Sequence, residues 1–87
     1  MSSPTPPSVT LLTRPGCHLC EAARESVGRV TAALGLDWHE VDVGSDPGLL
    51  RRHAEEIPVV LVDGVPRDFW RIDERRLARL LRERLAG

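Results

Sequence analysis

Three absences restrict what this sequence encodes. No apolar run approaches the ~20 residues that a membrane-spanning helix needs, so no membrane partner is expected. The formal net charge is −1, which leaves no net positive charge to attract a nucleic-acid backbone, and no nucleic-acid partner is expected either. Lysine is missing and all 12 basic residues are arginine, a bias to which we attach no functional meaning.

The N-terminal segment, residues 1–7, also lacks the basic and apolar regions of a secretory signal. Its prolines and hydroxyl residues predict a disordered lead-in, followed by a single domain over residues 8–87. With 41% hydrophobic residues, such a domain can pack a core without a disulfide or a metal ion. Without an export signal we expect the cytoplasm, where thiols are kept reduced.

The two cysteines of the chain lie in one short motif, residues 14–20 (RPGCHLC). The motif follows a short β-favouring segment and stands at the head of a helical pattern. A disulfide across so short a loop would remove only about 2 kcal/mol of unfolded-state entropy, so a structural staple explains the spacing poorly. The motif therefore predicts dithiol–disulfide chemistry or metal binding.

Hydrophobic periodicity and turn residues predict the element order β-α-β-α-β-β-α. The predicted strands cover residues 8–13, 38–43, 58–62 and 65–70, and the Asp63-Gly64 pair predicts a hairpin turn between the last two. The first predicted helix runs from the cysteine motif to a C-terminal Gly35, and the second from Asp46-Pro47 to about His53. The third begins after the N-cap Asp73, with Ile72 and Leu77 as a hydrophobic staple.

This order constrains the topology. The first β-α-β unit requires a parallel, right-handed crossover, and the hairpin adds two antiparallel strands. We therefore predict an α/β fold with a four-stranded mixed sheet flanked by helices, which is the thioredoxin-like layout.

From Ser8 to Leu85 the sequence resembles the glutaredoxin branch of the thioredoxin superfamily. Three features carry the resemblance: Cys17-His18-Leu19-Cys20 after the first strand, Ile57-Pro58 opening the third, and the compact element order. It is most similar to a small glutaredoxin-like group with a Gly-Cys-His-Leu-Cys motif and an Ile-Pro-Val-Val type of strand.

The resemblance implies a small, monomeric thiol–disulfide oxidoreductase with no bound cofactor and no metal. Its substrates would be disulfide-containing proteins or small molecules. Its electrons would come from glutathione, another low-molecular-weight thiol or a flavoprotein reductase.

The helix start also assigns roles to the two thiols. At a helix N-terminus, unsatisfied N–H groups and the helix dipole favour an anion, which lowers the pKa of a thiol from ~8.5 toward ~3.5–7.5. Cys17 occupies that position and is the predicted nucleophile. Cys20 lies one turn further along, nearer the core, and is the predicted resolving thiol.

In the thioredoxin-like fold the third strand begins beside the end of the first, so Ile57 and Pro58 are expected next to Cys17. The resemblance implies a cis Pro58, which would leave the Ile57 backbone free to pair with a substrate strand. A trans proline that simply begins a strand is the alternative.

Two basic residues are candidates for tuning the site. His18 as a cation would stabilise the Cys17 thiolate and make the disulfide more oxidising, or it is an exposed residue with little electrostatic effect. Arg14 stands where glutaredoxins often place a basic residue that activates the thiol, or it is merely solvated at a strand end.

The sequence departs from the glutaredoxin pattern after the fourth strand. Glutathione-dependent members carry a Gly-Gly pair followed by an acidic residue, whereas this chain has residues 69–73 (FWRID). Asp73 matches the acidic residue, although a role as N-cap is sufficient for it. Bulky Trp70 stands where backbone must approach the ligand closely, so this thiol-ligand region predicts poor use of glutathione.

Two other functions are compatible with the sequence. Cys17 and Cys20 would supply half of a zinc site, or part of an iron–sulfur site shared between two chains. Within one chain His39 and His53 would have to complete a zinc site, and their spacing misses the usual pattern.

The other alternative is a binding module or adaptor that kept the fold without turnover. A cluster of arginines near the C-terminus would meet an acidic partner, or would form the solvated face of an amphipathic helix. The cluster comprises Arg75, Arg76, Arg79, Arg82 and Arg84.

Overall fold

The observed order of strands and helices is the predicted one, with a single added turn of 3-10 helix. A computed structural model describes residues 5–53 and 55–86. The strands are β1 (Val9–Thr13), β2 (His39–Asp42), β3 (Val59–Val62) and β4 (Val65–Phe69). The α-helices are α1 (His18–Ala33), α2 (Pro47–His53) and α3 (Glu74–Ala86), and Val43–Ser45 form the 3-10 turn.

The four strands form one mixed sheet in the order β2-β1-β3-β4. β1 pairs in parallel with β2 and antiparallel with β3, and β3 pairs antiparallel with β4. The hairpin between β3 and β4 turns at Asp63 and Gly64, with φ angles of 52° and 80°. Two successive positive φ angles are typical of the type I′ turn that an Asp-Gly pair predicts. The mixed four-stranded sheet of the thioredoxin-like fold is thus confirmed.

The alternation of residues along the central strands builds a core on each side of the sheet. On one side Leu11 of β1 and Val60 of β3 pack against Val27 of α1 and Leu81 of α3. On the other side a second cluster surrounds the start of α1 and the end of β1. It contains Leu12, Cys20, Val43, Ile57 and Val59.

The helix ends follow the predicted capping. Gly35, with φ 68°, follows the last residues of α1 as the predicted C-terminal glycine. Asp46 accepts hydrogen bonds from the amides of Gly48 and Leu49 at the start of α2. At the start of α3, Asp73 accepts one from the amide of Arg76 at 3.0 Å.

Five strand boundaries differ from the prediction by a single residue, and two of them are the starts of β2 at His39 and of β3 at Val59. β1 begins at Val9, and β2 ends at Asp42 because its carboxylate accepts a hydrogen bond from the Gly44 amide and begins the 3-10 turn. β4 ends at Phe69 because Trp70 leaves the strand with a positive φ of 58°.

The predicted disordered lead-in lies partly outside the described residues. Residues 1–4 are not described, and Pro7 is buried. The lead-in and the domain limits stay predictions. Among the described helices, none combines the length and the apolar character that crossing a membrane requires.

An ion pair ties α1 to β2. The Arg24 guanidinium donates two hydrogen bonds to Glu40, at 2.7 and 2.9 Å, and the buried Thr13 hydroxyl of β1 donates a third at 2.9 Å. The hydrogen bonds from Arg24 hold the pKa of Glu40 below its ordinary value of 4.5, and the Thr13 hydroxyl adds to the effect.

This pair predicts a pH-dependent effect of Glu40→Gln. Because the folded-state pKa of Glu40 is lowered, its carboxylate stabilises the fold above pH 4.5, and this stabilisation is lost as the pH falls below that value. We expect Glu40→Gln to lower the free energy of unfolding at pH 7, with a difference from wild type that shrinks below pH 4.5. Urea unfolding at several pH values measures it. Glu83→Gln, at an exposed position, is the matched control, and a difference independent of pH would contradict the assignment.

Candidate active site

Cys17 is the N-cap residue of helix α1, which begins at His18. The Cys17 backbone is extended, with φ −86° and ψ 111°, and its Sγ accepts a hydrogen bond from the Cys20 amide at 3.2 Å. Gly16 precedes it with φ 75°, a conformation that favours glycine in the tight turn from β1 into the helix. The sulfur of Cys17 therefore lies where the first free N–H groups of the helix point.

Cys17 and Cys20 form a disulfide, with Cα atoms 5.4 Å apart. The two sulfurs differ in access. Cys20 is 1% exposed within the cluster that contains Leu12 and Ile57, whereas Cys17 is half-buried at the edge of that cluster. An approaching thiol would therefore reach Cys17 and not Cys20.

Ile57 and Pro58 lie beside this disulfide, as the fold predicts. The antiparallel register pairs Leu12 of β1 with Val59 of β3, so the segment before β3 meets the end of β1. Ile57 packs in the same cluster as the two cysteines, and both Ile57 and Pro58 are buried. The peptide bond between Ile57 and Pro58 is cis.

Trp70 contacts Pro58 and lines a cleft together with residues of α2. Its amide donates to the Pro58 carbonyl at 2.8 Å, and its indole Nε1 donates to the Glu55 carbonyl at 2.9 Å. The side chain is 56% exposed and lines a cleft of about 530 Å³. The other lining residues are Arg51, Arg52, Glu55, Glu56 and Phe69. Arg51 and Arg52, which the sequence analysis did not single out, line the cleft together with two acidic residues, Glu55 and Glu56.

Asp68 was also missed by the sequence analysis, and it organises the segment that carries Trp70. Its carboxylate is buried and accepts hydrogen bonds from the amides of Phe69 and Asp73, at 3.0 and 2.8 Å. The Arg76 guanidinium adds a third at 2.7 Å. An aspartate in a strand otherwise bounded by exposed residues gives no periodic signal, so only the folded loop shows its role.

The predicted tuning residues lie at the same end of α1. His18 is the first residue of the helix and is exposed, and Arg14 is exposed in the segment between β1 and α1. Asp73 serves as the N-cap of α3.

The two histidines of the alternative zinc site are not brought to the cysteines. The ring of His53 contacts the Glu56 carboxylate at 3.2 Å, and His39 is exposed on β2. Within residues 5–53 and 55–86, no group of three or more His, Cys, Asp or Glu side chains is arranged to hold a metal ion.

Fold and site together define the class: a thioredoxin-fold protein with a CXXC disulfide at the start of its first helix. The model of the family described as "Glutaredoxin-like domain (DUF836)" matches residues 8–82. The chain therefore belongs to this glutaredoxin-like family, which confirms the resemblance read from its motifs.

Individual relatives agree with the family. Uncharacterized protein Rv0508 of Mycobacterium tuberculosis is 38% identical over 76 residues, which cover 82% of this chain and 78% of the relative. The X-ray structure of target protein XcR50 from X. campestris has a TM-score of 0.69 at 29% identity, covering 86% of this chain and 96% of that one.

A thioredoxin shares the fold at lower identity. A mutant thioredoxin from Halobacterium salinarum has a TM-score of 0.71 at 15% identity. The match covers 93% of this chain and 76% of the thioredoxin. The likeness supports the thioredoxin-like fold. The family match and the Cys17–Cys20 disulfide support a general redox role for the CXXC pair.

The position of Asp68 predicts a specific loss of stability. Asp68→Ala leaves two amides of the 69–73 segment without their acceptor, and we expect the free energy of unfolding to fall by about 1–3 kcal/mol. Urea unfolding at pH 7 measures the loss. Asp37→Ala is the control, because Asp37 is exposed and makes no hydrogen bond to any described residue. Equal stability of the two variants would show that the Asp68 contacts do not hold the segment.

Proposed function

We propose that this protein is a thiol–disulfide oxidoreductase that reduces disulfides of proteins or small molecules through the Cys17–Cys20 pair. The observation that carries the proposal is the unequal access of the two sulfurs at the start of α1. Cys17 is half-buried at the helix N-terminus, and Cys20 is buried behind it. Membership in the glutaredoxin-like family supports the same chemistry.

In the proposed reaction the dithiol form attacks first. The Cys17 thiolate displaces one sulfur of a substrate disulfide, which leaves as a thiolate and takes a proton, and a mixed disulfide with Cys17 remains. Cys20 then loses its proton and attacks Cys17 Sγ. The second substrate thiol is released, and the Cys17–Cys20 disulfide forms. Two electrons have passed to the substrate, and a reductant must return them.

The helix start would favour the thiolate of Cys17. The Cys20 amide donates to Cys17 Sγ at 3.2 Å, and an N–H group in this position interacts more strongly with a thiolate than with a neutral thiol. We therefore expect the pKa of Cys17 in the dithiol form to lie below ~8.5. His18 and Arg14 are proposed to tune that pKa through their positive charge.

Ile57, Pro58 and Trp70 are proposed to form the substrate-binding side of the site. The buried Ile57-Pro58 segment adjoins the cysteines, and Trp70 is hydrogen-bonded to the Pro58 carbonyl. The exposed indole offers apolar contact to a substrate.

Glutathione is proposed to be a poor electron donor for this protein. Trp70 stands in the segment where the glutathione-dependent glutaredoxins that this sequence resembles have glycines, and its indole is hydrogen-bonded to the Glu55 carbonyl. A ligand that must form hydrogen bonds with the backbone of this segment would be left with unpaired polar groups. Each such group weakens binding by about 1–3 kcal/mol. The proposed donor is therefore another low-molecular-weight thiol or a flavoprotein reductase, in a reducing compartment such as the cytoplasm.

The first test concerns the roles of the two thiols. Because Cys17 is the accessible sulfur, iodoacetamide at pH 7 is expected to label it faster than Cys20 in the reduced protein, as measured by peptide mass spectrometry. Cys20→Ser is expected to trap mixed disulfides with a disulfide substrate, whereas Cys17→Ser abolishes exchange.

Two outcomes would contradict this proposal. Preferential labelling of Cys20 would reverse the roles. A pair that shows no reversible two-electron change in a redox titration would remove the proposed activity, and the protein would then be an adaptor.

The second test concerns glutathione. In a glutathione-coupled disulfide reduction assay, the wild-type protein is expected to turn over far more slowly than an ordinary glutaredoxin measured beside it. Trp70→Gly introduces a glycine at a position with φ 58°. It is expected to raise the rate about tenfold or more, because two polar groups that glutathione binding leaves unpaired in the wild type could then form hydrogen bonds.

Phe69→Ala is the control for loss of a neighbouring aromatic ring. Phe69→Ala leaves Trp70 and its positive φ unchanged, so it is expected to change the glutathione-coupled rate less than Trp70→Gly does. Wild-type turnover equal to that of the ordinary glutaredoxin would show that Trp70 lines the site without blocking the ligand.

A further inference from the structure

Seven of the twelve arginines of this chain form two contrasting groups. Four of them bind carboxylates: Arg24 with Glu40, Arg29 with Glu74, Arg76 with Asp68 and Arg84 with Asp63. Three on α3, Arg75, Arg79 and Arg82, are exposed, and their guanidinium groups make neither a hydrogen bond nor an ion pair with any residue of the described ranges. The structure thus divides the arginine cluster that the sequence presents as one run.

These three arginines form one stripe along α3. Residues at i, i+4 and i+7 lie on the same side of a helix, where like charges repel one another. Glu83 lies four residues after Arg79 on the same helix but does not line the groove beside the stripe. The groove side of α3 therefore carries a concentration of positive charge that favours a negatively charged partner.

The stripe borders an apolar groove between α1 and α3. The groove has a volume of about 500 Å³, is open to solvent along its length, and has Arg29, bound to Glu74, among its walls. Its apolar lining consists of Val30, Ala33, Leu34 and Ala78. An open groove of this kind encloses a small molecule poorly, but it accommodates the apolar face of a helix.

We propose that the α1–α3 groove docks an acidic amphipathic helix of a partner protein. The three arginines span about 10 Å along α3, at 1.5 Å per residue. Carboxylates at i, i+4 and i+7 of a partner helix have the same spacing, and the apolar side of that helix would cover Ala33, Leu34 and Ala78. This surface is independent of the proposed redox activity.

The groove and the disulfide lie toward opposite ends of α1. The groove is lined by residues 29–34, and Cys17 caps the start of the helix. At 1.5 Å per residue they are about 18–25 Å apart along the helix axis. A partner can therefore occupy the groove while the disulfide remains accessible, and binding is expected in both redox states.

The experiment uses a synthetic amphipathic peptide of about 18 residues, long enough to form a helix, with Glu at i, i+4 and i+7 beside a leucine face. Fluorescence anisotropy of the labelled peptide with the full chain is expected to show saturable binding that weakens as the salt concentration rises. The triple variant R75Q/R79Q/R82Q is expected to bind about tenfold or more weakly, as is a peptide with Gln in place of Glu.

The charge-matched control is R51Q/R52Q/R67Q, which removes three exposed arginines that do not line the groove and is expected to bind the peptide like wild type. Circular dichroism verifies that both triple variants keep their helices.

Absence of saturable binding, or equal binding by R75Q/R79Q/R82Q, would overturn the proposal. Binding to vesicles of anionic phospholipid without binding to the peptide would also overturn it. So would self-association that the triple variant abolishes, because the groove would then receive a second copy of the chain.

Discussion

The antiparallel pairing of β1 with β3 is the constraint on which the candidate site depends. Its register, from Val9↔Val62 to Leu12↔Val59, sets the end of β1 against the start of β3. The cysteines enter α1 directly after β1, and Ile57-Pro58 directly precede β3, so residues about 40 positions apart in sequence share one cluster. A shift of this register by one residue would place Leu12 and Val59 on opposite faces of the sheet and break up the cluster beside the disulfide.

The sulfur of Cys17 serves the helix and the proposed chemistry at once. As N-cap it accepts the Cys20 amide and satisfies one of the donors that a helix start leaves free. The same donors would stabilise a thiolate, so the group that starts the helix is also the group that the helix would make reactive. Cys20, one turn later on the inner side of the helix, is necessarily close to Cys17 and shielded by Leu12 and Ile57.

Features encoded by neighbouring residues could be predicted from the sequence. The Asp63-Gly64 turn, the Gly35 helix end and the Asp46 and Asp73 caps depend on one or two residues each, and all of them appear in the structure. The cysteine motif at a helix start is local in the same sense. Its proximity to Ile57-Pro58 came from the topology of the fold and not from the residues themselves.

Other features depend on contacts that form only after folding. Asp68 is buried because three donors from the following segment converge on it, and no periodicity of β4 signals this. The division of the arginines into paired and unpaired sets likewise required the packed helices, because their carboxylate partners are remote in sequence.

The segment after β4 illustrates how such remote contacts shape the site. A positive φ is unfavourable for a bulky residue such as Trp70, at about 1–3 kcal/mol. Its two hydrogen bonds, to the Pro58 and Glu55 carbonyls, contribute about 0.5–1.5 kcal/mol each and offset much of that cost. Asp68 fixes the amides on either side of the residue. Because contacts with Pro58, Glu55 and Asp68 fix this segment, the position of the Trp70 indole is set before any ligand binds. A ligand that required the indole to move would have to break these contacts first.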